Sequence, residues 1–341
     1  MSMAMMPSAS FSVCRYGESD EALHDHRGQA LYNESVYVNF VAGAADPLAP
    51  LGGIMRVGLR PSDGFAELSL NLPLGDGSTV FLYERRPLDA HDFEPGAPVW
   101  RCGGMELAVV EPLRRWRLRF AGSEPRRLHD AAAFGADPGA ALRAAPHCTV
   151  ALSLDFEGRH PVHALSDSGD ILAAGGVAFA RDHYEQFGLV TGEIELDGVR
   201  SAILGSAFRD HSWGPRDWQA APHSDFMTTY EADGSATVAF AARLDGADHV
   251  QGVRWGAAGL ERVTRFELDS DYAGGVQIGH ALAASFGTTA SEHVYDGTIR
   301  AFLPLRHRSE GGTVRIAQVL IDLDGPGGVA RAWADLTRPA G

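Results

Sequence analysis

The chain has 341 residues, 45% of them hydrophobic and 21% charged, which suits two domains of ordinary size or one large all-β body. A formal net charge of −15 excludes the basic face that nucleic acid or an anionic membrane would need, and the complete absence of lysine excludes Schiff-base chemistry and a Walker lysine. Three scattered cysteines (Cys14, Cys102, Cys148) form no CxxC pair; with no signal-peptide pattern and no apolar run of membrane length, a cytoplasmic protein with no disulfide framework is expected.

Strand signals dominate from residue 35 onward. Apolar and polar residues alternate over 35–40, 54–59, 65–72 and 79–84, with Gly75-Asp76-Gly77 as a turn between the last two. Further alternating runs cover 105–110, 116–120 and 149–156, whereas 87–98 and the Ala-rich 124–146 read as irregular connections, the latter with one helical turn. Strands resume over 189–196, 200–208, 225–231, 237–244, 250–255, 261–268, 275–286, 292–305, 313–323 and 328–336. Asp197-Gly198, Asp233-Gly234, Asp245-Gly246 and Asp324-Gly325 have the composition of hairpin turns. No sustained amphipathic helix appears. A loose pseudo-repeat between the halves favours an all-β chain of two antiparallel barrels or sandwiches packed side by side, 1–185 and 186–341.

Reactive side chains concentrate in one place, Arg209-Asp210-His211-Ser212-Trp213-Gly214-Pro215-Arg216-Asp217-Trp218. It follows the 200–208 strand, and its Gly-Pro step is read as a turn at the strand end. Carboxylates, an imidazole and two indoles on one elbow suit proton transfer beside an apolar substrate. The same set also suits a structural corner, with arginines paired to carboxylates and indole N–H groups bonded to backbone.

The order of segments resembles the superfamily of carotenoid 1,2-hydratase (hydroxyneurosporene synthase), AttH-like proteins, kievitone hydratase and tocopherol-cyclase-like proteins. The residues that carry it are Tyr32 through Phe40, Arg209-Asp210-His211-Ser212-Trp213-Gly214, and Asp324-Gly325 through Trp333. The resemblance implies two lipocalin-like domains, with a His-x-Trp element at the mouth of the second linked with catalysis; His211 and Trp213 match it. The Tyr/Asp pair of the carotenoid hydratases has no counterpart at matching spacing; Tyr230, Glu231 and Asp233 are nearest in character.

Hydrating an unactivated double bond requires an acid for carbon, a stabilised cation and a base for water. Asp210 or Asp217 is assigned as the acid, His211 as the orienting group or base, and Trp213 and Trp218 as faces for the cation. Trp218, Tyr230, Glu34 and Tyr37 are assigned to substrate binding, and His183, Tyr184 and Gln186 are placed near the same cleft. His24-Asp25-His26 and His160-Pro161-Val162-His163 are the closest histidine pairs; His24 and His26 are expected to be solvated, and no metal and no cofactor are expected.

The reading is therefore a cofactor-independent hydratase or dehydratase, a lyase, acting by acid–base chemistry on a hydrophobic isoprenoid-like molecule. A non-catalytic lipid or terpenoid carrier and a proton-initiated isomerase or cyclase are the alternatives. No nucleic-acid partner and no integral membrane segment are expected, and a homodimer is compatible with the chain.

Overall fold

The computed structural model describes residues 12–43, 48–88, 92–165, 171–174, 177–216, 221–244, 247–309, 312–325 and 328–339. The chain first runs through β1 (Tyr32–Ala42), β2 (Gly52–Arg60), β3 (Phe65–Pro73), β4 (Thr79–Pro87), β5 (Val99–Cys102), β6 (Met105–Glu111), β7 (Arg115–Gly122), β8 (Arg126–Leu128) and β9 (Val150–Gly158). Two short helices, α1 (Ala131–Ala136) and α2 (Pro138–Ala144), lie between β8 and β9. A two-stranded ribbon, β10 (Ile171–Ala174) and β11 (Val177–Ala180), precedes the long hairpin of β12 (Asp182–Leu196) and β13 (Val199–Pro215). Then come β14 (Ser224–Glu231), β15 (Ala236–Leu244), β16 (Ala247–Gly256), β17 (Gly259–Asp269), β18 (Ala281–Thr288), β19 (Glu292–Ser309), β20 (Gly312–Gly325) and β21 (Gly328–Pro339).

These strands make two bodies. An eleven-stranded antiparallel sheet in the order β5-β6-β7-β9-β12-β13-β1-β2-β3-β4-β8 curls into a half-barrel, and β14 to β21 close into an eight-stranded barrel. The all-β, two-body architecture is the one expected. The 185/186 position falls inside β12, which pairs along its length with β13, while β13 pairs with β1 from Gly205 to Pro215. The chain leaves the sheet after Pro215 and enters the barrel at Ser224.

Local chemistry accounts for the two departures from expectation. The 124–146 connection holds two helices instead of one turn because Asp130 and Asp137 each cap a helix N-terminus, accepting from Ala133 N at 2.8 Å and Ala140 N at 2.9 Å, with Pro138 in the first turn of α2. The Arg209–Pro215 motif is strand, not an elbow. Gly214 takes φ +112°, which only glycine adopts without strain, and Pro215 closes the strand where its missing N–H breaks no ladder. The preceding hairpin turns on Asp197 (φ 51°) and Gly198 (φ 83°), the left-handed pair that a two-residue turn demands.

The concave face of the sheet is filled by Val36, Val38, Met55, Val57, Leu68, Leu70, Trp100, Trp116 and Phe156, all essentially inaccessible. A polar knot sits within it. Arg209, fully buried, donates to Glu21 at 2.6 Å and through Nε to Gln186 at 2.9 Å, and its guanidinium lies 4.8 Å from the Trp116 ring. Glu21 also accepts from the Trp116 indole at 2.8 Å and the Tyr184 hydroxyl at 2.7 Å. Such a knot is stable to the extent that its members are paired; in this one Arg209 Nη1 has no hydrogen-bond partner among the described residues.

The sheet and barrel meet through shared apolar side chains and specific bonds. Val41, Ile54, Phe187 and Phe208 from the sheet pack with Tyr230, Val238, Trp255 and Trp333 from the barrel. The Trp333 indole donates to the Phe40 carbonyl at 2.8 Å, and Asn71 donates to Gln318 at 3.0 Å. Removing Glu21 alone strands a buried guanidinium: Glu21→Ala is expected to lower unfolding free energy by about 3–5 kcal/mol in urea titration, whereas Glu21→Leu with Arg209→Met recovers most of it.

Candidate active site

A strand sends successive side chains to opposite faces, so four neighbouring strands determine what the outer face of the half-barrel presents to the barrel. Across β12, β13, β1 and β2 the register aligns Glu185, Asp210, Tyr37 and Arg56 in one row, and His183, Ser212, Ser35 and Gly58 in the next. These rows, apart from Gly58, line a cavity of about 1000 Å³ between the sheet and the barrel. Ser224, Phe226, Phe240, Gln318 and Asp335 form its barrel wall, and Phe134 and Leu142 of the two helices border it. The walls mix apolar side chains with many polar and charged ones, among them Arg56, Arg85, Arg216 and Arg306, around a space large enough for a small molecule.

Five acidic residues line this space, and three of them, Glu185, Asp210 and Asp335, sit in different environments. Glu185 is fully buried, and among the described residues neither of its oxygens has a hydrogen-bond partner in the protein. Burial first, and the neighbouring Asp210 charge second, hold its carboxyl well above the usual range, which favours its protonated form. Asp210 is more open, with 20% of its side chain exposed. His183 stands between them, Nε2 lying 3.6 Å from Glu185 Oε1 and 3.8 Å from Asp210 Oδ2. On the barrel wall burial raises Asp335 to about 7, the hydrogen bond to Gln318 opposing the rise and the Asp210 charge adding to it.

The opposite face of the same strands holds a second cluster. Glu34, inaccessible to solvent, accepts from His24 N at 2.9 Å and the Tyr32 hydroxyl at 2.9 Å, and meets His24 Nδ1 at 2.9 Å and His211 Nε2 at 3.0 Å. Burial pushes Glu34 up, but the bonds to His211 and His24 more than reverse it and leave it below the usual range. Burial pulls His24 down, yet Asp20 and Glu34 outweigh it and lift the imidazole to about 9. His211 is lowered by burial despite the Glu34 bond. His24 stacks on Trp213 at 4.0 Å, and Trp100 meets His211 edge-on at 4.7 Å. His24, Glu34 and His211 bring donor atoms within 4.8 Å of one another and are residue types that can hold a metal ion. Here hydrogen bonds and an ion pair already join them, tying the segment before β1 onto the sheet.

The sequence-predicted residues therefore separate. Asp210 and Tyr37 lie on the cavity wall. His211, Trp213 and Glu34 lie on the far face, because the motif is a strand of period two and not an elbow. Tyr230 is buried between the bodies, donating to Asn39, and is not among the cavity-lining residues. Asp217 and Trp218 lie outside the described residues. Of the three residues placed near the cleft, His183 lines the cavity, whereas Tyr184 and Gln186 join the polar knot of the other face. His24 is half-buried and paired, not solvated.

Glu185 and Asp335 escape a reading of motifs. Glu185 was legible in register: counting outward from the Asp197-Gly198 turn, the twelfth residue on one side is Glu185 and on the other Asp210. Asp335 has no such signal, since only the docking of β20 and β21 against the sheet brings it to the cavity.

A half-barrel and a closed barrel enclosing an acid-lined cavity define a lipocalin-like two-body β protein. Residues 17–337 match the family described as a domain of unknown function (DUF7064), and the chain belongs to that family. Among solved structures, the fold is similar to an AttH protein of Nitrosomonas europaea, with TM-score 0.65 at 15% identity over 92% of this chain and 94% of that one. It is also similar to kievitone hydratase of Nectria haematococca, with TM-score 0.58 at 8% identity over 98% and 95%. A third similar structure is CghA with Sch210972, with TM-score 0.57 at 12% identity over 91% and 89%. At these identities the likeness is one of fold. No curated protein sequence matches the chain. Among the described residues no helix is long and apolar enough to cross a membrane.

The raised carboxyl on the barrel wall gives a stability signature. A carboxyl held above its ordinary 3.8 binds its proton more tightly folded than unfolded; its contribution is full below that value and is lost as pH rises through about 7. Asp335→Asn is therefore expected to flatten the decline of the urea midpoint between pH 4 and 7 and to be the more stable protein at pH 8. Parallel curves for the two proteins would contradict this assignment.

Proposed function

We propose that the chain is a cofactor-independent hydratase or dehydratase that works by acid–base chemistry on a double bond, or the corresponding tertiary alcohol, of a hydrophobic isoprenoid-like or polycyclic molecule. The observation that carries the reading is Glu185: a buried carboxyl pushed toward its protonated form, beside the more open Asp210 at the wall of a large cavity. A carboxyl raised by burial beside a more open carboxylate is an arrangement suited to acid–base catalysis. The fold likeness to a kievitone hydratase supports water addition or removal as the reaction class.

In the hydration direction Glu185 gives its proton to one alkene carbon, and the π pair forms the new C–H bond. The Asp210 charge and the faces of Tyr37, Phe226 and Phe240 stabilise the cation left on the other carbon. Water bonds to that carbon, and Asp210, with His183 beside it, takes the surplus proton and returns it to Glu185. Dehydration is the same sequence reversed. A carrier would need the apolar walls but not a protonated carboxyl buried without a protein partner, which costs stability and serves binding poorly.

The test is turnover of a panel of isoprenoid and polycyclic alkenes in ¹⁸O-labelled water. Wild type is expected to place the label in an alcohol product, and Glu185→Gln to lower the rate at least a hundredfold while keeping its thermal midpoint and its retention of the apolar substrate. Unchanged turnover in Glu185→Gln would contradict the assignment, and binding without conversion across the panel by wild type would favour the carrier.

A further inference from the structure

Glu185 touches the cavity on one side and is backed on the other by a polar chain that the chemistry above leaves unused. His163 lies directly opposite it in an antiparallel bridge: His163 N–H donates to the Glu185 carbonyl at 2.9 Å, and Glu185 N–H donates to the His163 carbonyl at 2.8 Å. The His163 side chain is 1% exposed, and its Nε2 faces Glu185 Oε2 at 3.5 Å. Its Nδ1 meets the indole Nε1 of Trp255, on β16 of the barrel, at 3.3 Å.

The proton count on this chain is fixed by one member. An indole N–H donates and never accepts, so His163 Nδ1 is the acceptor and a neutral imidazole must carry its hydrogen on Nε2. Burial lowers His163 to about 3, with the Pro161 carbonyl opposing and with His183, His160 and Arg262 adding to the fall, so the ring is neutral. The Nε2–H is then on the side of Glu185 Oε2, 3.5 Å away and not hydrogen-bonded to it, where a second hydrogen would be crowded. The Glu185 proton is left to Oε1, the oxygen on the His183 and Asp210 side. Packing holds the ring in this orientation: Phe187 lies parallel to His163 at 5.9 Å, His160 stacks on Trp255 at 5.1 Å, and Arg262 donates to the Ala164 carbonyl at 2.6 Å.

We infer that Trp255, acting through His163, holds the Glu185 proton on Oε1, so that a barrel residue sets which oxygen of the sheet's acid is ready to donate. His163 and Trp255 are positioning residues. The catalytic meaning rests on the proposed role of Glu185, but the tautomer does not.

The experiment is NMR of the full-length chain labelled with ¹⁵N in histidine and ¹³C in the glutamate carboxyl, with His163→Asn and Glu185→Gln for assignment. His163 is expected as the single Nε2–H tautomer from pH 5 to 8. Trp255→Phe, which keeps an aromatic ring but deletes the donor, is expected to convert His163 to a tautomer mixture and to move the Glu185 titration further up, since Nε2 can then accept the acid proton. A purely structural tryptophan would change the thermal midpoint and neither resonance. The inference is overturned if wild-type His163 carries its hydrogen on Nδ1, bonded to the Pro161 carbonyl 3.5 Å away, or if Trp255→Phe leaves both groups unmoved. The two readings fail separately: a wrong tautomer leaves Glu185 as the acid, and normal turnover in Glu185→Gln leaves the tautomer standing.

Discussion

Between Arg209 and Trp213 the strand β13 turns each side chain to the face opposite its predecessor, and nearly everything in the protein follows from that division. Arg209, His211 and Trp213 go to the concave interior of the half-barrel, where they bind Glu21, Glu34 and His24 and hold the segment before β1 in place. Asp210 and Ser212 go to the other side and become part of a cavity wall. One short motif thus serves as a structural brace and as a chemical surface, without the two sets of side chains meeting.

The two faces are built to different electrostatic rules. On the interior face, charges are buried but complementary: Arg209 with Glu21, and His24 with Glu34. On the cavity face the pairing is uneven: Glu67 is matched by Arg56 at 2.7 Å, whereas Glu185 has the imidazoles of His163 and His183 at 3.5 and 3.6 Å without a hydrogen bond to either. Glu185, neither of whose oxygens has a hydrogen-bond partner among the described residues, is pushed toward its uncharged form by burial. Leaving polar atoms of this kind unpaired is destabilising by about 1–3 kcal/mol each. The barrel takes part in this chemistry, contributing Asp335 to the opposite wall and, through Trp255, a hydrogen bond behind the acid.

How much of this could be read from the chain depends on the range of the interaction. Alternation and Asp-Gly turns are local, so the all-β architecture and most strands are evident in the residue pattern, including the β12–β13 hairpin. The motif is visible too, but its Gly-Pro step suggests an elbow, and that reading brings His211 and Trp213 wrongly to the side of Asp210. Taking the strand through to Pro215 would have split the motif and singled out Glu185 as the cross-strand neighbour of Asp210. The helices of 131–144 hide in Ala-rich sequence whose local signals are the capping aspartates and Pro138. Asp335, Gln318 and Trp255 depend on how a closed barrel docks on an open sheet, which no local pattern encodes.

The account stands on the protonation state of one side chain in its native setting. Infrared difference spectroscopy of wild type against Glu185→Gln at pH 7 reads it directly, because a carboxylic acid C=O stretch is distinct from the carboxylate bands. A protonated-acid band present in wild type and missing from the variant is the predicted result. A difference spectrum containing only carboxylate bands would mean that Glu185 is ionised, and the cavity would then lack the acid on which this chemistry depends.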